Sequence, residues 1–290
     1  MKILTILSFT EITGVGTFNY TLLESIKKKY PKAKLYVYFK SKNKDSLLIR
    51  MFETLGCTIL SKIPRISFDY VFTNYTEAER FGKKTIHFVH NLMASNYMNP
   101  NADKVCVMGE RAYKFLNHNN KIMIRNAINL TRFKYIKPKR KLSKVLIFDS
   151  RNNAFLVGKV LAACSNKNIY LSVLGEDLNQ GNVNRWNVED YIKSSDLVVS
   201  VGRSAIESMA MGKQVLIANT IGANGLVTIN NIKEHATTNF SGWLTNFNKQ
   251  TDSIYFQKEI MAYNASNGYE IRKYIEQNFN IDDYIEKILD

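Results

Sequence analysis

Residues 196–217 read DLVVSVGRSAIESMAMGKQVLI. The run Leu197–Val201 is apolar and β-branched, the composition of a buried strand. Gly202-Arg203-Ser204 then makes a turn, and an amphipathic helix follows from near Ala205. The backbone N–H groups at such a helix start face outward, and the helix dipole favours a negative group there. Gly202 lets a ligand approach the backbone closely. Arg203 and the Ser204 hydroxyl are candidates to add charge-assisted bonds to a phosphate. Glu207, one turn further, is placed to accept hydrogen bonds from ribose hydroxyls. The same residues also suit an ordinary strand–turn–helix corner.

Outward from this segment, the second half repeats one pattern. Strands are expected at Val145–Asp149, Ile169–Leu174, Leu197–Val201 and Val215–Ala218, with helices at Phe155–Ala163, Glu189–Ser194 and Ala205–Met211. The first half alternates in the same way. Strands are expected at Lys2–Phe9, Leu35–Phe39, Asp69–Thr73, Thr85–Val89 and Lys104–Met108, with helices at Thr17–Lys29 and Ser46–Leu55. Such alternation predicts a parallel, doubly wound α/β sheet in each half. The stretch KYIKPKRKLSK at 134–144 is basic and carries Pro138, which marks it as a linker. The expected organisation is a first domain at 1–136, a linker at 137–144, a second domain at 145–268 and a terminal helix at 269–290.

The segment Glu207-Ser208-Met209-Ala210-Met211-Gly212, followed by apolar 214–218, resembles the donor-binding segment of GT-B glycosyltransferases, above all the retaining family-4 type. There Glu-Ala-Met-Ala-x-Gly precedes an apolar strand. Other matches follow in the family's order. Gly14-Val15-Gly16 resembles its first glycine turn, and Phe88-Val89-His90-Asn91 its strand-end histidine segment. IRNAINLTRF at 124–133 resembles the segment before its linker, and 222–243 the tail of a small bacterial and phage-like subset. The resemblance implies two Rossmann-like domains facing across a cleft, a nucleotide-sugar donor (a UDP-sugar) on the C-terminal domain, and a terminal helix crossing back to the first domain. It implies a retaining, metal-independent transferase with no cofactor, the nucleotide sugar being a co-substrate. Gly14, Gly16, Gly202, Arg203, Ser204 and Glu207 would bind the donor.

The chain also departs from that pattern. The family's first glutamate, eight positions before the second, is Val199 here. Its Gly-Arg-Leu appears as Asp149-Ser150-Arg151, Lys159 is the nearest lysine at a longer spacing, and Asn129 replaces an aspartate. By the resemblance, Arg151 and Lys159 neutralise the departing diphosphate, whose charge grows in the transition state. Lys159 also reads as a solvated helix lysine. His90 is read as touching sugar or acceptor at a strand end, or as a capping or core histidine. His87 lies on the same side of that strand. No metal site is expected: there is no Asp-x-Asp, and Asp149 is the one obvious carboxylate near the phosphates.

The 290 residues are 45% hydrophobic and 22% charged, the profile of a globular protein of about two domains. Cys57, Cys106 and Cys164 form no C-x-x-C pair and are expected as buried thiols. The opening MKILTILSF is read as a strand rather than a leader, and no run approaches the roughly 20 apolar residues of a membrane span. A cytoplasmic protein is expected (a host cell's cytoplasm if phage-encoded), soluble or peripheral to a membrane. Net charge is +15, split as +18 over 1–144 and −3 over 145–290. Lys27, Lys28, Lys29, Lys40, Lys42, Lys83, Lys84, Lys139, Arg140 and Lys141 form the basic runs, candidates for a polyanion surface or simply solvated faces. Three functions follow. The leading one is transfer of a sugar to a hydroxymethylated base in phage DNA. The second is synthesis of a bacterial surface polysaccharide or lipid-linked glycan at an anionic membrane. The third is non-catalytic nucleic-acid binding.

Overall fold

The computed structural model describes residues 1–8, 13–41, 46–74, 81–90, 101–148, 154–165, 167–174, 186–242, 244 and 251–290. The chain divides into two compact units, Met1–Asn129 with Asn280–Asp290, and Leu130–Phe279.

The first unit runs β1 (Lys2–Leu7), α1 (Gly14–Lys29), β2 (Lys34–Phe39), α2 (Leu47–Thr54), β3 (Thr58–Leu60), β4 (Phe68–Asn74), β5 (Gly82–Val89), β6 (Lys104–Met108), α3 (Glu110–Phe115) and β7 (Lys121–Ile124). Among the described residues these strands form one parallel sheet, ordered β3-β2-β1-β4-β5-β6-β7. Helix α1 forms because Phe18, Leu22, Leu23 and Ile26 recur at helical spacing and are buried. The Thr13 hydroxyl accepts from the Gly16 N–H at its start, and Lys27–Lys29 occupy its last turn, where the dipole favours cations. From β1 the chain fills the sheet in one direction through β2 and β3, then restarts on the other side with β4. The carboxyl ends of β1 and β4 are therefore the switch point of a doubly wound sheet.

The second unit runs β8 (Lys144–Phe148), α4 (Ala154–Ser165), β9 (Tyr170–Leu174), α5 (Val188–Ser194), β10 (Leu197–Ser200), α6 (Gly202–Ala210), β11 (Gln214–Ala218), β12 (Ala223–Leu226), α7 (Ile232–Thr237), α8 (Ser253–Met261) and α9 (Asn267–Phe279). Its sheet is ordered β12-β11-β10-β8-β9, parallel except for β12. Val145, Ile147, Leu197, Val199 and Leu216 pack with Leu156, Val160, Phe256 and Ile260 in its core. The switch point here lies between β8 and β10.

Several sequence expectations are corrected. Helix α6 begins at Gly202 rather than near Ala205, and β1 ends at Leu7. The short strands β3 and β7 and the antiparallel β12 stand at sheet edges, where no long buried apolar run announces them. The single terminal helix expected over 269–290 is interrupted. Its chain breaks at Asn280, whose side chain accepts from the Asp282 N–H and whose backbone bridges Ile128. A 3₁₀ turn (Ile281–Tyr284) and α10 (Ile285–Leu289) complete the first unit. Residues 130–144, expected as the end of the first domain and a linker, count with the second unit. The Ile136 N–H donates to Met211 O at 3.0 Å, and buried Arg272 donates to the carbonyls of Phe133 and Ala210.

This division changes the charge reading. Residues 1–129 hold 20 Lys and Arg against 9 Asp and Glu, and 280–290 hold one against four, a net of +8. Residues 130–279 hold 19 against 12, a net of +7. The contrast between a strongly basic and a slightly acidic half disappears once each residue is counted in the unit where it folds.

Among the described residues, no helix is long and apolar enough to cross a membrane. All three cysteines are buried and free. Burial pushes the thiols of Cys57 and Cys106 up to about 12 and that of Cys164 to about 11, so they are inert at neutral pH.

Candidate functional site

In the second unit, the β10–α6 corner stands at the switch point. Gly202 carries a φ of +63°, a conformation that penalises any residue with a Cβ. A Cβ built there meets no atom of the described residues within 4 Å, which leaves room for a close ligand. The Gly202 N–H donates to Phe240 O at 2.7 Å. Among the described residues no side chain caps the start of α6 after Val201, an arrangement suited to an anion. The Ser200 hydroxyl donates to Phe148 O at 2.6 Å, tying β10 to β8. The Ser204 hydroxyl lies 2.7 Å from Ser200 Oγ and 3.1 Å from Val201 O, so its proton already has acceptors within the corner.

Arg203 and Glu207 are 8% and 7% exposed, and Arg203 Nε donates to Glu207 Oε1 at 2.9 Å. They are neighbours because i and i+4 share a helix face. Burial pushes the Glu207 carboxyl above its usual range, against the pull of Arg203 and then Arg132. Beside the pair is a second one that the sequence did not single out. Arg132 is bidentate on Glu189, donates to Trp186 O, and lies 3.6 Å from the Trp186 ring centroid. Four alternating charges thus meet around α6. Arg132 comes from 54 and 57 residues away from its partners, so no spacing rule reveals it.

Val199 is fully buried in the hydrophobic core, so the family's first glutamate has no counterpart at this position. Lys159 is half-buried with its Nζ 4.0 Å over the Phe155 ring. Arg151, Asp149, Lys42, Asn91 and Trp243 lie outside the described residues. Among the described residues, no group of three or more His, Cys, Asp or Glu is placed to hold a metal.

In the first unit, His90 follows β5 directly. Its Nε2 lies 2.7 Å from Asn74 Oδ1, and its ring meets Phe18 edge-on at 5.4 Å. Asn74 ends β4 at the switch point and pairs with Asn19 of α1. His87 is different: it is buried and bonds Thr73 Oγ1 at 2.8 Å, and burial pushes it down to about 4. It is a neutral core histidine. Gly14 is exposed and open at its Cβ position, whereas the Gly16 N–H is taken by Thr13.

Most of the basic runs are held internally. Lys27 Nζ donates to Ala33 O, Lys28 pairs with Asp282, Lys29 with Glu286 and Lys83 with Asp69. Lys84 donates to the carbonyls of Leu289 and Asp290, and Lys139 lies 3.7 Å from Asp196. Lys40, Arg140 and Lys141 are exposed.

These units define a class of architecture, two Rossmann-like α/β domains in one chain, and the chain has the GT-B fold. Solved structures share it over nearly the whole chain. UDP-GlcNAc 2-epimerase from Neisseria meningitidis bound to UDP-GlcNAc matches with a TM-score of 0.59 at 11% identity, covering 100% of this chain and 98% of its own. The S. aureus MnaA–UDP structure matches at 0.55 and 10% identity, covering 98% and 95%. A mutant of the Thermobaculum terrenum O-GlcNAc transferase matches at 0.54 and 9% identity, covering 99% of this chain, which spans only 66% of that one. No family model matches the sequence, and no curated protein matches it.

Proposed function

We propose that the chain is a glycosyltransferase using a nucleoside-diphosphate sugar, with the donor held at the β10–α6 corner. The observation that carries the reading is Gly202, with its φ of +63°, opening a helix that has no side-chain cap among the described residues, at the switch point of a GT-B sheet. In this reading the first turn of α6 receives the diphosphate, and the Arg203–Glu207 pair opens to let Glu207 accept the ribose hydroxyls. UDP is the nucleotide, supported by its presence in two of the matching structures. By the same reading Arg151 and Lys159 neutralise the leaving diphosphate, and His90 serves the sugar or acceptor. The reaction retains the anomeric configuration and needs no metal.

The acceptor we favour is a bacterial surface polysaccharide or a lipid-linked precursor. The DNA reading depended on a basic half, and the folded units carry +8 and +7. The full-length epimerase match adds a second reading, epimerisation of the same donor without an acceptor.

One assay separates these. Labelled UDP-sugars are incubated with the protein and either a lipid-linked acceptor, hydroxymethylcytosine DNA or neither. Transfer to lipid, unaffected by EDTA and with retained configuration by NMR, is expected. Label on DNA restores the DNA acceptor, and conversion of the donor alone establishes the epimerase. Absence of UDP binding by calorimetry refutes UDP as the nucleotide, and absence of binding to every nucleoside diphosphate tried refutes a nucleotide-sugar enzyme.

A further inference from the structure

Helix α4 is apolar on every side. Its inner face, Leu156, Val160, Ala163 and Cys164, packs with Phe256 and Ile260 of α8 against the second sheet. Its outer face holds Ala154, Phe155, Gly158, Leu161, Ala162 and Ser165, all exposed. The one charged residue of the helix, Lys159, has its Nζ over the Phe155 ring. A helix of this composition ordinarily lies buried. At 12 residues α4 is too short to cross a membrane, which takes roughly 20. Helix α8 beside it repeats the pattern. Phe256 and Ile260 face inward, and Ile254, Lys258 and Met261 recur outward at helical spacing. Phe155 is 70% exposed, Leu161 49%, Ile254 74% and Met261 54%, so large apolar side chains of both helices stand in solvent.

The direction of the two helices places this apolar band. Helix α4 joins β8 to the parallel β9, so it runs back from the carboxyl to the amino end of the sheet. Helix α8 runs the same way. Just beyond it, Tyr263 Oη donates to Lys139 O at 2.7 Å, and the Asn264 N–H donates to Oε1 of Gln214, the first residue of β11. At that amino end the band meets a basic collar. Arg140 and Lys141 are exposed before β8, and Lys167 is exposed before β9. Lys144 opens β8 with its Nζ 5.4 Å from the ring centroid of exposed Tyr170. Asp196, at the same end, is buried and accepts from the Ser143 and Lys144 N–H groups. On α8, Glu259 accepts from the Leu226 N–H, whereas Lys258 is exposed.

We propose that this face of the second unit docks on an anionic phospholipid bilayer. Phe155, Leu161, Ile254 and Met261 enter the boundary between headgroups and acyl chains, and the basic collar meets the lipid phosphates. Exposed apolar side chains beside lysines and a tyrosine are the composition of an interfacial surface, and the lysine stems can lie along it with their charges at the headgroups. A protein partner fits less well, because the centres of protein interfaces are depleted of lysine. A second copy would bring two units of +7 together through the same cations. The inference goes beyond sugar transfer and does not depend on it, since it concerns α4 and α8 rather than the β10–α6 corner.

The test is vesicle flotation of the full chain, with phosphatidylcholine alone or mixed with phosphatidylglycerol, alongside thermal melts and UDP calorimetry. The wild type should float with the mixed vesicles, release as salt rises, and stay behind with pure phosphatidylcholine. Arg140→Gln with Lys141→Gln should weaken binding by about fivefold per residue. Leu161→Ser with Ile254→Ser should weaken it by roughly tenfold or more. Tm and UDP affinity should change little in that variant, because both side chains are exposed. Ile254→Cys carrying an environment-sensitive dye should shift to the blue on mixed vesicles. It reads the contact even if the serine pair fails to fold, and the native thiols are buried. Binding that both double variants retain, equal binding to pure phosphatidylcholine, or a dye that does not shift overturns the inference. So does a wild type that floats with neither vesicle, whether light scattering finds a monomer or a dimer. A wild type that floats as expected but binds no nucleoside diphosphate upholds the docking face and sinks the transferase reading instead.

Discussion

The Arg203–Glu207 pair makes the obvious test of the donor site, Glu207→Ala, an ambiguous one. Both residues are buried and their side chains are joined at 2.9 Å. Removing one partner leaves an uncompensated buried charge, at about 3–5 kcal/mol. For a unit of this size each kcal/mol lowers Tm by about 2–4 °C, so Glu207→Ala and Arg203→Ala should each melt roughly 6–20 °C below the wild type. Replacing both with apolar residues of similar volume removes the desolvation of two ions together, so Arg203→Met with Glu207→Leu should melt near the wild type or above it. Loss of UDP binding in Glu207→Ala would then reflect a damaged helix as much as a lost contact. Glu207→Gln keeps the shape and one hydrogen bond to Arg203. Any fall in its UDP affinity beyond its fall in Tm belongs to the ribose contact. Charge-assisted bonds exceed neutral ones by about 1 kcal/mol, so a loss of roughly fivefold to tenfold is expected. Thermal melts followed by calorimetry with UDP check this. Single variants melting within about 2 °C of the wild type, or a double variant melting as low as the singles, would refute the argument.

The glycines that flank the body of α6, Gly202 at its start and Gly212 just past its end, should behave differently. Gly202→Ala adds a methyl group to open space at a φ of +63°, so it should cost about 1–2 kcal/mol of strain and weaken UDP binding. Gly212→Ala drives its Cβ to 2.6 Å from the Tyr135 ring at a φ of +80°, and should lower Tm further while leaving UDP affinity intact at a permissive temperature. Buried His87 and His235 both sit near a pKa of about 4 against 6.5 in model compounds. Desolvation dominates both. The folded pKa is depressed, so each group's contribution is complete above about 6.5 and is lost as pH falls toward 4. Unfolding takes up protons across that window, so stability should fall by up to about 3 kcal/mol per histidine between pH 7 and 4. Replacing either with leucine should flatten the denaturant-measured profile in that window. Finally, Asp282→Asn with Glu286→Gln releases Lys28 and Lys29 from partners in the terminal segment. Retention on a heparin column should rise while Tm moves little, since exposed pairs are worth about 0–1 kcal/mol.

The strongest local patterns read correctly from the sequence. Helix α1, strand β6 and the corner at Gly202 depend on apolar periodicity and on a glycine between strand and helix, and these are properties of neighbours along the chain. The basic half did not survive. Dividing the chain at 144 predicts one, but the cations of 130–144 fold with the second unit, and Asp282 and Glu286 of the terminal segment pair with Lys28 and Lys29. Asn74, an uncharged residue at a strand end, carries no local mark of function. It bonds Asn19, 55 positions earlier, and His90, 16 later. Arg132, Trp186 and Glu189 escaped notice for the same reason. Sequence by itself determined where backbone hydrogen bonds close into strands and helices, because that choice is governed by residues a few positions apart. Tertiary structure decided which charges neutralise one another, because that depends on side chains brought together only when distant segments pack.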